Sequence, residues 1–154
     1  MSEHLNKFVN KKGTYILVIF SSSKKSIPIG RLGRMKLKPG WYLYAGSAFG
    51  SGGLAARLNR HLSKQKKIYW HIDYLLQHIK LKEIWFTYRP EKLELEWVNI
   101  LSLLSGNNIP MKNFGASDSK SLSHLFYFEN KPSYKKFQIL TCDRYEINNF
   151  STPK

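Results

Sequence analysis

Hydrophobic residues along this chain of 154 residues come in runs whose period changes from one segment to the next. From Gly13, the run Thr14-Tyr15-Ile16-Leu17-Val18-Ile19-Phe20 is continuously apolar and rich in β-branched and aromatic residues, the pattern of a central strand. Polar residues 21–26 read as a turn. Residues 27–35 predict a second, edge-like strand, because Pro28 removes a ladder donor. Lys38-Pro39-Gly40-Trp41 sets proline and glycine for a type II turn, and residues 41–45 predict a third strand. Three short strands joined by tight turns imply an antiparallel meander.

The period then lengthens. Leu54, Leu58 and Leu62 recur every four residues over a helix at 52–64, with Ser51 placed to cap it and with Arg57, Arg60, His61 and Lys64 on the opposite side. A second helix at 70–79 gathers Ile72, Leu75, Leu76 and Ile79. Residues 83–88 predict a strand. A third helix over 91–105, after Pro90, carries Leu93, Trp97, Ile100, Leu101 and Leu104 on one stripe and ends at Gly106-Asn107-Asn108. Residues 124–128 and 137–141 predict late strands. The order βββααβαββ is α+β: a small central antiparallel sheet, with a three-stranded meander core, flanked by about three helices. Residues 1–12 read as a loose or weakly helical lead, 13–141 as a single domain and 142–154 as a tail that frays at its end.

Composition narrows the class. With 42% hydrophobic and 14% aromatic residues the chain can build a core. No apolar run is long enough for a transmembrane helix, and the polar N-terminus has no secretory h-region, so a cytoplasmic protein with no membrane partner is expected. Cys142 is the single cysteine, which excludes an internal disulfide and a cysteine-based zinc site.

Charge changes the picture further. The formal net charge is +15, and residues 1–90 hold 17 basic against 3 acidic residues. Between Glu3 and Asp73 there is no acidic residue. Such asymmetry favours a polyanionic partner, nucleic acid foremost, and Arg31, Arg34, Lys36, Arg60, Lys64, Lys66 and Lys67 are the candidate phosphate contacts. No feature points to a particular protein partner.

Chemistry concentrates between Tyr42 and His61. A strand ending in Tyr44-Ala45-Gly46 passes through a loop with Gly50, Gly52 and Gly53 into the basic helix. Amides at that helix start could donate to a phosphate oxygen. Arg57 and His61 stand four apart and share a face, setting a permanent cation beside a group that moves protons near neutral pH. Neither a Walker loop nor a dinucleotide fingerprint is present. Tyr15 and Tyr44 sit on strands that a meander can bring together. By spacing alone, a glycine-rich connector followed by a solvated basic helix fits this segment at least as well.

Gly13-Thr14-Tyr15, then Tyr44-Ala45-Gly46, then Arg57 and His61 on the following helix resemble the GIY-YIG nuclease superfamily, and within it a small stand-alone branch of GIY-YIG-like proteins found mainly in archaea and bacteria. The strings GTYILVI, IGRLGRMKLKPGWYLYAGSAFGSGGLAARLNRHL, WHIDYLL and FGASDSKSLSHLFYF carry the resemblance across most of the chain. It implies a metal-dependent endonuclease hydrolysing phosphodiester bonds in nucleic acid, DNA rather than RNA, with one divalent cation, Mg or Mn. Tyr15, Tyr44, Arg57 and His61 are then the catalytic set, the general base unassigned among them, and Glu94 is the metal ligand, with Glu96 the runner-up. Both middle motif positions are altered, to Thr14 and Ala45, and residues 21–40 look like an added hairpin. The superfamily's asparagine has only Asn113 and Asp118 as candidates. His71, Asp73, Asp118 and His124 form a second tier; their ordinary roles would be to orient the second helix, to make an Asx turn, and to end a strand. The alternative to an enzyme is a non-catalytic nucleic-acid-binding module using the same basic surface.

Overall fold

A computed structural model describes residues 7–116, 121–141 and 146–153. The strands are β1 (Gly13–Ser21), β2 (Lys25–Pro28), β3 (Arg34–Leu37), β4 (Gly40–Ala48), β5 (Lys80–Thr87), β6 (Leu125–Phe128) and β7 (Ile147–Ser151). The helices are α1 (Gly53–Leu62), α2 (His71–Leu76), α3 (Glu94–Leu104) and α4 (Tyr134–Leu140). The protein is α+β: five antiparallel strands in the order β6-β4-β1-β5-β7, with β2 and β3 as a separate hairpin. No helix among the described residues is long and apolar enough to cross a membrane.

The central strand β1 pairs on both edges, and both sheet faces are covered. Strand side chains alternate between faces. Tyr15, Leu17 and Ile19 therefore point to one side, packed with Leu54 and Leu58 of α1 and Ile72 and Leu75 of α2. Ile16 and Val18 point to the other, with Trp97, Val98 and Leu101 of α3 and Phe137 of α4. This two-sided burial is why β1 reads as an unbroken apolar run.

Three expectations about the elements are corrected. The run at 27–35 is not the middle strand of a meander. It is interrupted by a 3₁₀ turn at Gly30–Leu32 and forms the β2–β3 hairpin, which packs on α2 and leaves β4 to pair directly with β1. The meander core is therefore replaced by a five-stranded sheet. Residues 137–141 are not a strand. Ser133 accepts a hydrogen bond from the Lys136 amide and starts α4, which turns Phe137 inward between Trp85 and Trp97 and leaves Ile139 exposed. The C-terminal segment expected to fray supplies the edge strand β7, paired with β5.

The N-terminal lead is ordered over its described part. Phe8 packs edge-on against Phe86 and Phe150, with ring centroids 5.3 and 5.2 Å away. Gly52, not Ser51, is the N-cap of α1. The amides expected to receive a phosphate are already used: Leu54 N donates to Lys11 O at 2.9 Å and Ala55 N to Val9 O at 3.2 Å. A Cβ on Gly53 would lie 2.5 Å from that same Lys11 carbonyl oxygen, so glycine is what lets the lead close over the helix end.

Replacing Phe137 by Ala should lower stability by about 3–5 kcal/mol, whereas Ile139→Ala should change it by less than about 0.5 kcal/mol. Chemical denaturation of both variants checks this. Equal losses would fit a strand, in which positions 137 and 139 share a face.

Candidate active site

The β1–β4 register places the two tyrosines. Tyr15 lies opposite Gly46 and Leu17 opposite Tyr44, so Tyr15 and Tyr44 are diagonal neighbours on one face. A Cβ at Gly46 would come within 2.5 Å of the Tyr15 ring and hydroxyl. The ring is therefore seated flat on a position where only glycine fits.

Helix α1 crosses this face. Its Leu54 and Leu58 anchor it in the core, and Arg57, one residue before Leu58, and His61, one before the helix end, are delivered to the pocket. By spacing alone a solvated face fits His61 as well as a catalytic place; it is buried, and its Nε2 lies 2.8 Å from Tyr15 Oη. Its Nδ1 is buried without a hydrogen-bond partner. Burial, reinforced by Lys66, Arg57 and Arg60, lowers the imidazole pKa to about 3, against a weaker opposing pull from Asp73. Burial raises the Tyr15 phenol to about 12, against the opposing pull of the Arg57 guanidinium. Tyr44 is also pushed well above its ordinary value by burial, with Tyr15 and Glu94 adding to the shift. The pair is thus a neutral imidazole and a protonated phenol at neutral pH. Arg57 donates from Nη1 to Ser47 O at 2.8 Å and lies over the Trp70 ring at 4.4 Å, which fixes its planar head at the pocket wall.

Helix α3 begins at Glu94 rather than at Glu91, which pairs with Arg89 before the helix. Glu94 thereby reaches a pocket of about 370 Å³ that Tyr15, Tyr44, Arg57 and His61 also line. Glu96 is on the same helix but is not among the residues lining that pocket. The Glu94 carboxylate has two long contacts: Ser47 Oγ donates to Oε1 at 3.4 Å, and His124 Nδ1 is 3.6 Å from Oε2. Among the described residues, no three His, Cys, Asp or Glu side chains gather as a metal cage. A single weakly engaged carboxylate in a roomy polar pocket nonetheless fits a hard cation that keeps most of its waters, as Mg²⁺ does.

The second-tier residues divide. His71 and His124 line the pocket, and His71 Nδ1 accepts the Gly115 amide at 2.9 Å. Burial lowers the His71 pKa. Asp73 is buried and does not line the pocket. It accepts both Arg60 guanidinium nitrogens, at 2.8 and 2.7 Å, and the amides of Tyr69 and Trp70, at 2.9 and 2.8 Å. Burial opposes its ionisation, but these donors hold its pKa below the ordinary value. Asp118 lies outside the described residues. Asn113 is not a pocket residue; its amide donates to Leu122 O.

The expected phosphate contacts also divide. Arg60 is committed to Asp73 and to Lys67 O, and Lys66 donates to the carbonyls of Arg60 and His61, so both hold the fold together instead of standing out from it. Lys64 and Lys67 are exposed on the loop after α1. Arg31, Arg34 and Lys36 are exposed on and beside the β2–β3 hairpin, where Arg34 is tied to Ser26. Sequence reading missed four lining or bracing residues: Ser47, Tyr69, Trp70 and Gly115. The adjacent Tyr69-Trp70 pair directly after a basic run was the available signal.

One family model matches: Domain of unknown function DUF123, over residues 14–146, and the chain belongs to that family. No curated protein and no solved structure matches it.

The buried imidazole makes a pH prediction. His61 is proton-free when folded down to a pKa of about 3, while the unfolded chain takes up that proton near 6.5. Its contribution to stability is therefore complete above about pH 6.5 and is lost as pH falls toward 3, with a slope approaching ~1.4 kcal/mol per pH unit. Denaturant melts between pH 7 and 4.5 should show this limb in the wild type and a flatter one in His61→Gln.

Proposed function

We propose that this DUF123 member is a metal-dependent endonuclease that hydrolyses phosphodiester bonds in nucleic acid, DNA rather than RNA, in the cytoplasm. One observation carries the reading. Tyr15, Tyr44, Arg57, His61 and Glu94, drawn from β1, β4, α1 and α3, line a single pocket. These are the residues whose motifs resemble the GIY-YIG nucleases, and an unrelated basic protein has no reason to converge them.

The pocket residues have complementary roles. Arg57 grips a non-bridging phosphate oxygen with its remaining guanidinium donors, while Trp70 and Ser47 keep the head from swinging away. Tyr15 and His61, joined by one hydrogen bond, act as a unit on the proton of the attacking water, and Tyr44 orients that water. The suppressed basicity of His61 belongs to the protein without substrate; an arriving phosphodiester anion offsets the surrounding cations and raises it. Glu94 would hold the divalent cation, with Mg²⁺ or Mn²⁺ supplying charge stabilisation for the phosphate and the leaving oxygen. Lys64 and Lys67, exposed on the loop that also carries the pocket residue Tyr69, draw the polyanion in.

Glu94→Gln should abolish cleavage and leave the dissociation constant within about twofold, since it removes the cation's anchor and not a phosphate contact. Arg57→Ala should weaken both binding and cleavage, because its contact exists before the transition state. Cleavage of branched, nicked and plain duplexes with Mg²⁺ or Mn²⁺, alongside binding, tests both. Full cleavage by Glu94→Gln would sink the one-metal reading. Tight binding with no wild-type cleavage of any substrate would favour the binding module instead.

A further inference from the structure

Tyr69 stands apart from the other aromatic residues of the pocket. Tyr15 and Tyr44 are buried, whereas Tyr69 lines the same pocket at 75% exposure. Large apolar rings left in water at a polar pocket are uncommon and usually have an external partner. The backbone beneath Tyr69 is held firmly: its amide donates to the Asp73 carboxylate, and the loop that carries it is closed by Arg60 on Lys67 O and by Lys66 on two carbonyls. On its inner side Tyr69 packs edge-on against Trp70, with centroids 5.5 Å apart and planes at 88°. Trp70 in turn is covered by the Arg57 and Arg60 guanidinium groups, at 4.4 and 4.3 Å. Exposed Lys64 and Lys67 lie on the same loop. An aromatic ring in water, on a rigid basic loop, is the arrangement on which a nucleobase stacks while its phosphates follow the cations.

We infer that Tyr69 is a stacking platform for an unpaired nucleobase at the mouth of the pocket, so that the preferred ligand is nucleic acid with an unpaired nucleotide beside the phosphate that enters. A base inside a duplex has both faces covered by its neighbours and cannot meet the ring; an overhang, flap or bulge leaves a face open. The pocket's size agrees, because about 370 Å³ admits a nucleotide-sized group and not the width of a duplex. This rests on the nucleic-acid reading above for the identity of the polymer, but it does not require cleavage.

The experiment is therefore a binding measurement in EDTA. Two probes with equal numbers of phosphates are used, a blunt hairpin and a hairpin whose stem is shortened so that the freed nucleotides form an unpaired overhang carrying 2-aminopurine. The wild type should bind the overhang more tightly and quench its fluorescence. Tyr69→Ala should weaken overhang binding by about tenfold, abolish the quench and alter blunt-hairpin binding by less than twofold. Tyr69→Trp should retain both overhang affinity and quench. Equal effects of Tyr69→Ala on the two probes, no effect on either, or no binding of either probe by the wild type would overturn the inference, the second pointing Tyr69 to a protein partner. Separate cleavage assays with Mg²⁺ keep the two readings apart. Tyr69-dependent overhang binding without cleavage removes the nuclease and leaves the platform. Cleavage with overhang binding indifferent to Tyr69 does the reverse.

Discussion

The pairing of β1 with β4 is the constraint on which the rest of the molecule depends. Nine consecutive pairs, from Gly13 with Ala48 to Ser21 with Gly40, fix which side chains face which layer. A slip of one residue would send Tyr15 and Leu17 toward Trp97 and Phe137 and bring Ile16 and Val18 under α1. The two-layer core and the location of the pocket would be lost together. Gly46 makes that register discriminating. It faces the Tyr15 ring at a distance no side chain tolerates, so a shifted pairing would set a larger residue against the ring.

On this frame the pocket is held by a second, polar construction that never touches its interior. The buried Asp73 carboxylate collects four donors, two from the Arg60 guanidinium and two from the backbone ahead of α2. Satisfied in this way, the charge can stay ionised out of water. It also ties α1 to α2 across the intervening basic loop, so the element that presents Arg57 and His61 is bonded to the loop that presents Tyr69 and Trp70. Burial, with the cations crowded there, keeps His61 unprotonated, and burial keeps Tyr15 protonated, leaving their shared hydrogen bond as a polar link between sheet and helix, beside that of Arg57 to Ser47 O.

What was legible in the sequence follows from how local each cause is. β1, α1 and α3 were readable because a strand's continuous apolar run and a helix's four-residue leucine spacing report burial directly. The five-residue convergence was readable only through motif resemblance, since spacing alone is equally consistent with a solvated basic helix. The roles of Arg60 and Lys66 were not readable, because an internally paired cation and a solvent-facing one have the same sequence signature until Asp73 and the loop carbonyls are placed. The segment Phe137–Thr141 misled because a short apolar run has no decisive period, and the deciding signal, Ser133 four residues earlier, lies outside it. The tail was misjudged for the complementary reason. Ile147–Ser151 is polar at Asn148 and Asn149 because it is an edge strand, not because it lacks structure.

The way α1 begins has a consequence for cooperativity. The helix has neither an acidic residue in its first turn nor a side-chain cap, and it takes its capping carbonyls from Val9 and Lys11, far up the chain. A ten-residue helix without local start signals has little tendency to form alone. Its order is borrowed from the sheet below and the N-terminal segment above. Release of that segment would open α1 as a sub-global unit while the strands behind it stay paired, separating Arg57 and His61 from Tyr15 before the core unfolds. The candidate site is mounted on a helix that does not stand by itself, and the residues ahead of β1 contribute to how firmly it is assembled.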